Sequence, residues 1–319
     1  MAHVFGPVPS RRLGRSLGVD PVPFKTCNWN CVYCQLGHTA PPTGERREYV
    51  PTEEILAEVR AAVKTHGEDA IDWITFVGSG ETTLHAGLGG LLREVTALTS
   101  LPVAVITNGS LLWLPEVREE LAVADAVLPS LDAGTEDLYL RLNRPQPGFT
   151  FARLVEGLIA FRGPYPGRLW VEVMLVRGLN DTDEALRNLA TVLRRIAPDE
   201  VHINVPTRPP CEPWVDAPGE KALERAESIL GETARRVSPA EGRFDLDFCR
   251  DIVEAVLQVI TRHPMSEEEL GHALGRWPRE EIAAALARLA ASDRAQLVQR
   301  GGKRFWCYAG ARFGKPRRP

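Results

Sequence analysis

The sequence predicts an α/β fold, a partial (β/α)6 barrel followed by a small domain of the winged-helix type. Short apolar runs alternate with amphipathic helical stretches, and this alternation predicts a parallel sheet with right-handed crossovers. The pattern changes near residue 245, so we expect two domains, residues 1–240 and residues 245–319. A doubly wound open sheet fits the same alternation nearly as well.

Six apolar runs are predicted to be the strands of this sheet. They span residues 17–20, 73–77, 103–107, 126–130, 169–175 and 201–205. Thr52 is expected to cap the first helix, whose apolar stripe is Ile55, Leu56, Val59 and Val63. Further helices are predicted at residues 88–98, 115–122, 150–162, 182–196 and 219–234.

The C-terminal part predicts three helices and a hairpin. A helix is expected over residues 249–263, a second after Ser266 with Glu269 completing a capping box, and a third from Pro278. Residues 296–299 and 304–308 flank Gly301-Gly302, which is a hairpin signal. From residue 249 onward, 13 Lys and Arg stand against 8 Asp and Glu. This basic excess indicates either a solvated surface or contact with nucleic acid.

Composition limits the classes of protein to consider. Of 319 residues, 44% are apolar and 25% charged, with a net charge of −4, which is typical of a soluble globular protein. The first residues lack the order of a signal peptide, and no apolar run is long enough to span a membrane. We therefore expect a cytoplasmic protein. Six cysteines in that compartment do not predict a disulfide framework.

Three of the cysteines form a C-x3-C-x2-C motif, Cys27, Cys31 and Cys34. Three thiolates on one short loop can surround a metal centre. A structural zinc ion takes four ligands, and His38 is the nearby candidate for the fourth. A [4Fe–4S] cluster ordinarily takes four thiolates, so three would leave one iron open to bind a substrate. Cys249 and Cys307 are interpreted as packing residues.

Polar residues follow the predicted strands, where ligands bind in parallel α/β folds. The second strand ends in Gly78, Ser79, Gly80 and Glu81, and glycine allows the backbone to approach a ligand closely. The third is followed by Asn108 and the fourth by Ser130 and Asp132, although Asn108 and Asp132 are equally candidates for helix caps. The later strands contribute Glu172, His202 and Asn204. Arg144 and Arg208 lie on predicted loops, where they can bind anions or form salt bridges.

The cysteine motif, with Tyr33 directly before its third cysteine, resembles the radical SAM superfamily. The resemblance implies a TIM-like partial barrel, a [4Fe–4S] cluster on Cys27, Cys31 and Cys34, and S-adenosylmethionine (SAM) bound to the fourth iron. It also implies that Gly78, Gly80 and Glu81 contact SAM. The remaining residues assigned to cofactor binding on this basis are Tyr33, Asn108, Ser130, Asp132 and Glu172.

The opening segment, residues 5–18, is similar to iron–sulfur oxidoreductases related to the enzymes that form wyosine bases in tRNA. No cysteine precedes Cys27, whereas the wyosine enzymes carry additional N-terminal cysteines. The resemblance therefore implies the radical chemistry and leaves the substrate open.

The sequence leaves three candidate functions. The first is a radical SAM enzyme acting on RNA, reduced by a flavodoxin or ferredoxin. The second is a radical SAM activase or modifier of a protein or peptide. The third is an iron–sulfur regulator that senses redox state and binds DNA. Cys211, on a proline-rich loop near the expected site, is a candidate for a second cluster.

Overall fold

The computed structural model describes residues 2–237 and 251–314. A mostly parallel sheet of eight strands is followed by an antiparallel sheet of three. The strands of the first sheet are β1 (Val4–Ser10), β2 (Gly14–Val19), β3 (Trp73–Phe76), β4 (Val103–Thr107), β5 (Ala126–Pro129), β6 (Arg168–Met174), β7 (Glu200–Asn204) and β8 (Ala234–Arg236).

Helices follow most of the parallel strands. They are α1 (Thr52–His66), α2 (Leu88–Leu98), α3 (Pro115–Leu121), α4 (Glu136–Leu142), α5 (Phe151–Arg162), α6 (Asp183–Ile196) and α7 (Glu220–Leu230). Their apolar faces and the strands form one core. β4, for example, is almost wholly buried, as expected for a parallel strand that is covered on both faces.

Neighbouring strands follow chain order from β1 to β8 without reversal. A doubly wound sheet requires the order to reverse at a switch point, so that alternative is wrong. The six predicted strands are β2 to β7. β1 pairs antiparallel with β2, and among the described residues no pairing joins β1 to β8. The sheet is therefore consistent with a barrel that stays open at one seam.

Several predicted boundaries need correction. Thr52 is the first helical residue of α1 and does not cap it. Its backbone N–H donates to Glu48 Oε1 at 2.7 Å. The helix predicted over residues 219–234 ends at Leu230, because Gly231 adopts a positive φ of 99° and β8 follows. Cys249 lies outside the described residues.

The C-terminal part has an apolar core of its own. Its elements are α8 (Ile252–Arg262), β9 (Met265–Ser266), α9 (Glu267–Ala273), α10 (Arg279–Ala291), β10 (Ala295–Arg300) and β11 (Lys303–Tyr308). The capping box of Ser266 and Glu269 is present, and Ile282, Leu286 and Leu289 of α10 are buried in this core. Gly301 and Gly302 turn the β10–β11 hairpin with positive φ at both residues.

Arginines connect the C-terminal part to the larger sheet. Arg262 Nε lies 3.0 Å from Asp20 Oδ2, at the end of β2, and both side chains are almost fully buried. Arg300, next to the hairpin turn, donates to the carbonyls of Arg208 at 2.5 Å, Pro206 at 3.0 Å and Val215 at 3.3 Å. The hairpin is therefore docked against the loop after β7.

The buried imidazole of His263, close to Arg208 and Arg262, makes the stability of the protein depend on pH. Burial lowers its pKa to about 3, with Arg208 and Arg262 adding to the effect. Because an unfolded histidine titrates near 6.5, the unfolded chain binds more protons between that pH and the folded pKa. Stability therefore falls as the pH falls through this window. We expect the free energy of unfolding to drop by about 1 kcal/mol from pH ~7.5 to ~5.5. His263→Gln should remove that drop in chemical denaturation, and an unchanged drop would contradict this assignment.

Across the described residues, none of the helices has the length and apolar character needed to cross a lipid bilayer.

Candidate functional site

The cysteine motif lies on the long loop between β2 and α1. This loop is fixed by backbone hydrogen bonds to the end of α4, from Asn30 N–H to the Asn143 carbonyl at 3.0 Å and from Val32 N–H to the Leu142 carbonyl at 2.9 Å. Trp29 is buried and packs edge-on against Tyr139. The motif is therefore held by contacts that are distant in sequence.

The structure bears on the predicted zinc site completed by His38. Among residues 2–237 and 251–314, one set of three candidate ligand atoms lies within 4.8 Å of one another, and it belongs to His38, Cys211 and Glu212. Cys27, Cys31 and Cys34 do not form such a set, whereas thiolates on one tetrahedral zinc ion are about 3.8 Å apart, given Zn–S bonds of about 2.3 Å. The loop thiols are therefore not arranged around a single zinc ion in this structure.

Each sulfur of the motif has a hydrogen-bond donor nearby. Lys25 Nζ lies 3.2 Å from Cys34 Sγ, Asn143 Nδ2 3.7 Å from Cys31 Sγ, and Asn108 Nδ2 3.9 Å from Cys27 Sγ. Burial raises the pKa of the Cys27 thiol to about 12, and it also raises the pKa of the Cys31 thiol well above its usual value. The donors and the ammonium group therefore offset part of the cost of holding thiolates here.

Lys25 adopts a φ of 60°, which a residue with a side chain rarely adopts. Its backbone N–H donates to the Ser79 carbonyl at 2.7 Å, which holds it in this conformation. Strain of this kind concentrates at functional sites. Burial alone would lower the pKa of Lys25, but the three neighbouring thiols raise it.

The glycines after β3 permit close contact with the protein itself. A Cβ atom at Gly78 would overlap the Asp20 carboxylate, and one at Gly80 would overlap the Thr26 carbonyl. Ser79 donates to Asp20 Oδ2 from its backbone N–H at 3.1 Å and from its hydroxyl at 2.5 Å. The turn is therefore attached to both β2 and the cysteine loop.

Glu81 is buried, and protein donors occupy both of its oxygens. Oε1 accepts hydrogen bonds from the Thr83 backbone N–H at 3.0 Å, the Thr83 hydroxyl and the Thr107 hydroxyl at 2.5 Å. Oε2 accepts from the Asn108 N–H at 2.6 Å. Burial raises the pKa of this carboxyl, and the hydrogen bonds, which lower the pKa, offset only part of that effect. Glu81 thus joins the end of β3 to the end of β4.

Asn108 does not cap α3, whose N-cap is Leu114. Its Nδ2 donates to Asn28 Oδ1 at 2.7 Å, and its Oδ1 accepts from the Ser110 N–H at 2.9 Å. Asn28 in turn donates to the Ser110 hydroxyl at 2.8 Å. This network attaches the turn after β4 to the residue that follows Cys27.

Asp132 likewise does not cap the next helix, whose N-cap is Thr135. Oδ2 accepts hydrogen bonds from the Tyr33 hydroxyl and from Asn143 Nδ2, the latter at 2.6 Å, while Oδ1 accepts from the Met174 N–H at 2.8 Å. Burial raises the pKa of Asp132. The aromatic residue of the motif is therefore fixed by the carboxylate after β5.

Glu172 is half-buried, and its carboxylate has protein partners, as a carboxylate removed from water requires. Arg12, on the turn between β1 and β2, forms an ion pair with it, and Asn204 Nδ2 donates to it at 3.3 Å. Ser130 reaches the same strand through a β-bridge to Glu172. Burial lowers the pKa of Arg12 to about 10. His202 is buried, and its Nε2 lies 2.7 Å from Glu200 Oε2, whereas its Nδ1 has no hydrogen-bond partner among the described residues.

The two loop arginines are engaged within the protein. Arg144 pairs with Glu212, and Arg208 donates to the Pro264 carbonyl. Cys307 is fully buried, as predicted for a packing residue.

Comparison with known proteins places this site in a family. The sequence model of the Radical SAM superfamily matches residues 22–190, which is more than half of the chain and includes the cysteine loop. The chain is a radical SAM superfamily protein. The resemblance inferred from the motif is confirmed at this level.

Two curated relatives extend the match. A UPF0026 protein of Methanocaldococcus jannaschii is 35% identical over 282 residues, which cover 86% of this chain and 87% of the relative. A protein of Brachyspira hyodysenteriae named GTPase Obg is 41% identical over 228 residues, 72% of this radical SAM chain. The chain spans only 33% of that protein's length.

Among solved structures, a radical SAM methyltransferase from Sphaerobacter thermophilus has a similar fold. Its TM-score is 0.51 at 20% identity, over 69% of this chain and 65% of the other. At this identity the likeness concerns the fold alone.

Sequence reasoning missed four polar residues that hold this radical SAM site together: Arg12, Asp20, Lys25 and Asn143. Lys25 had a local signal, because a cation two residues before Cys27 is well placed to contact a thiolate. Asn143 stands beside Arg144, which was singled out for its charge. The other two had no signal, since their partners lie far away in the sequence.

Proposed function

We propose that this chain is an enzyme that holds a [4Fe–4S] cluster on Cys27, Cys31 and Cys34 and cleaves SAM reductively. The observation that carries the proposal is one loop with three thiols, each of which has a hydrogen-bond donor close to its sulfur. Three thiolates leave one of four irons without a protein ligand. When bound, this cluster and SAM supply a 5′-deoxyadenosyl radical that abstracts hydrogen from the substrate.

In this proposal the protein positions the cluster and shields it from water. Lys25, Asn108 and Asn143 supply hydrogen bonds to sulfur, which adjust the reduction potential. Trp29 and Tyr33 of the cysteine loop pack into the apolar core, and shielding from water adjusts the potential further.

The expected place for SAM is the edge of the sheet where β3 to β6 end. Gly78, Gly80 and Ser130 offer backbone or hydroxyl groups there. Glu81, Asp132 and Glu172 have protein partners already. In this proposal they act mainly by orienting Asn108, Tyr33 and Arg12, to which they are bonded.

We further propose that residues 1–240 form a radical SAM domain and residues 245–319 a domain of the winged-helix type. Three helices, a hairpin and a separate apolar core support the second assignment. The basic excess of its sequence, 13 Lys and Arg against 8 Asp and Glu from residue 249 onward, supports RNA as the substrate class over a protein or peptide. Arg279 and Arg288 of α10 are among its exposed basic residues. A flavodoxin or ferredoxin is the expected electron donor.

The docked hairpin argues against the redox-sensing DNA regulator. Winged-helix proteins of that type need their recognition helix and wing free to reach DNA. Here Arg300, beside the turn, is bonded to three carbonyls of the barrel. A sensor also has no need of the ordered turns that surround the cysteine loop.

The deciding experiment is anaerobic. Reconstituted protein, reduced with dithionite and supplied with SAM, should form 5′-deoxyadenosine and methionine, measured by chromatography. Protein that binds four irons but neither changes its EPR spectrum with SAM nor forms 5′-deoxyadenosine would overturn the proposal.

Removing the ammonium group beside Cys34 is expected to lower the reduction potential. Lys25→Met removes a positive charge and a hydrogen bond that stabilise the reduced, more negative cluster. An effect of about 1.4 kcal/mol corresponds to about 60 mV for one electron. Potentiometric titration followed by EPR measures the shift, with Lys64→Met on α1 as a control. A potential that does not move would exclude Lys25 from this role.

Two basic residues of α10 test the substrate class. If RNA binds there, Arg279→Glu with Arg288→Glu should weaken RNA binding and reduce the salt slope by about 2. The rate of 5′-deoxyadenosine formation without substrate should not change. RNA binding that keeps its affinity and slope would favour a protein or peptide instead.

A further inference from the structure

Outside the proposed cluster ligands, one group of side chains has the composition of a metal site. Cys211 Sγ lies 3.1 Å from His38 Nδ1, and His38 Nε2 lies 3.9 Å from Glu212 Oε1. One ligand atom from each residue falls within 4.8 Å of the others. These residues lie on two segments that are distant in sequence, so the fold brings them together.

The backbone holds both segments in place. Glu212 N–H donates to the Val32 carbonyl at 2.9 Å, and His38 N–H donates to the Arg312 carbonyl at 2.6 Å. The Cys211 carbonyl accepts from Gly314 N–H at 2.8 Å. The backbone segments that carry the three ligands are therefore fixed between the cysteine loop and residues 312–314.

One side of the trio is open to solvent. Cys211 is fully buried, whereas the His38 and Glu212 side chains are 28% and 17% exposed. Arg144 pairs with Glu212 through Oε1, so an ion that uses this oxygen has to displace the guanidinium group. The Arg144 side chain is 37% exposed and can turn towards solvent, which leaves the three ligands accessible to a cation.

We infer that His38, Cys211 and Glu212 form a mononuclear site for a thiophilic divalent cation, with Zn²⁺ the best match. Sulfur, imidazole and carboxylate are the three ligand types that zinc uses in proteins. Tetrahedral binding separates sulfur from nitrogen by about 3.6 Å, close to the 3.1 Å seen between Cys211 and His38. Three protein ligands leave one position for water. This inference stands apart from the SAM chemistry.

The test uses the full chain with its iron–sulfur cluster already assembled. After incubation with ZnCl₂ and gel filtration, zinc and iron are counted by mass spectrometry. We expect one zinc per chain in addition to the cluster iron. Cys211→Ser and His38→Gln should each bind zinc at least 100-fold more weakly, while Cys307→Ala, which also removes a buried thiol, should bind normally.

A second measurement covers the case in which a variant does not fold or zinc displaces the cluster. Co²⁺ added to the Cys27→Ser, Cys31→Ser, Cys34→Ser chain should give a thiolate-to-cobalt absorption band that His38→Gln removes. Absence of zinc in the wild-type chain, or equal zinc in the Cys211→Ser chain, would overturn the inference. So would iron bound at Cys211 in a second cluster. A chain without a zinc site should still form 5′-deoxyadenosine, so the zinc site and the cleavage of SAM are tested independently.

Discussion

The Cys31→Ala chain is expected to lose its cluster and to form no detectable 5′-deoxyadenosine. Only two thiols of the loop would remain, and an iron–sulfur cluster held by two thiolates leaves two irons open. We expect iron to fall from about four per chain to fewer than one after reconstitution and gel filtration. Absorbance near 400 nm and the EPR signal of the reduced protein should disappear with it.

Cys307→Ala is the matched control. Cys307 is also buried, but its thiol lies in the C-terminal sheet and donates to the carbonyl of Phe305 in its own strand. This variant should keep full iron content and activity. Full iron and activity in the Cys31→Ala chain would show that the C-x3-C-x2-C loop is not the metal centre.

The second large effect is expected from the buried ion pair between the two parts of the chain. Arg262→Ala leaves Asp20 buried without its cationic partner, and breaking such a pair costs about 3–5 kcal/mol. Arg262 also stacks on Phe5, with its guanidinium 4.4 Å from the ring centroid, and donates to the Ala2 carbonyl at 3.0 Å. We expect an earlier denaturation midpoint and a higher KM for SAM, since Asp20 holds the Ser79 turn.

Arg15→Ala provides the comparison. Arg15 pairs with Asp72 at 2.7 Å, but the two side chains are 54% and 41% exposed, so its loss should cost no more than about 1 kcal/mol. Urea denaturation of both variants in the cluster-loaded form measures the difference. Equal losses in the two variants would contradict a special role for Arg262, and so would an unchanged KM in the Arg262→Ala chain.

The central strands could be predicted because parallel strands buried on both faces are continuous apolar runs. β4 matches its predicted bounds. β1 was missed because Gly6, Pro7 and Pro9 interrupt it, and proline is tolerated there only because the strand is at the edge of the sheet. α4 has seven residues, too few for a clear helical period.

The candidate site, like the fold, could be predicted from the sequence only in part. The cysteine motif could be found because its residues are neighbours in sequence. The partners that hold it could not, because Tyr33 meets Asp132 across 99 positions and Asn28 meets Ser110 across 82. His38 was considered with the loop thiols, and only the folded chain shows it beside Cys211. Contacts of this range depend on the topology of the whole sheet.

The backbone pairing between the cysteine loop and Arg312 has a consequence for biosynthesis. Gly37 forms a parallel bridge with Arg312, so the loop gains this neighbour only after residue 312 has left the ribosome. Insertion of iron and sulfide should then follow the synthesis of this segment. Chains truncated before residue 300 should accept a cluster poorly from a scaffold protein, whereas chains that include residue 312 should accept it readily.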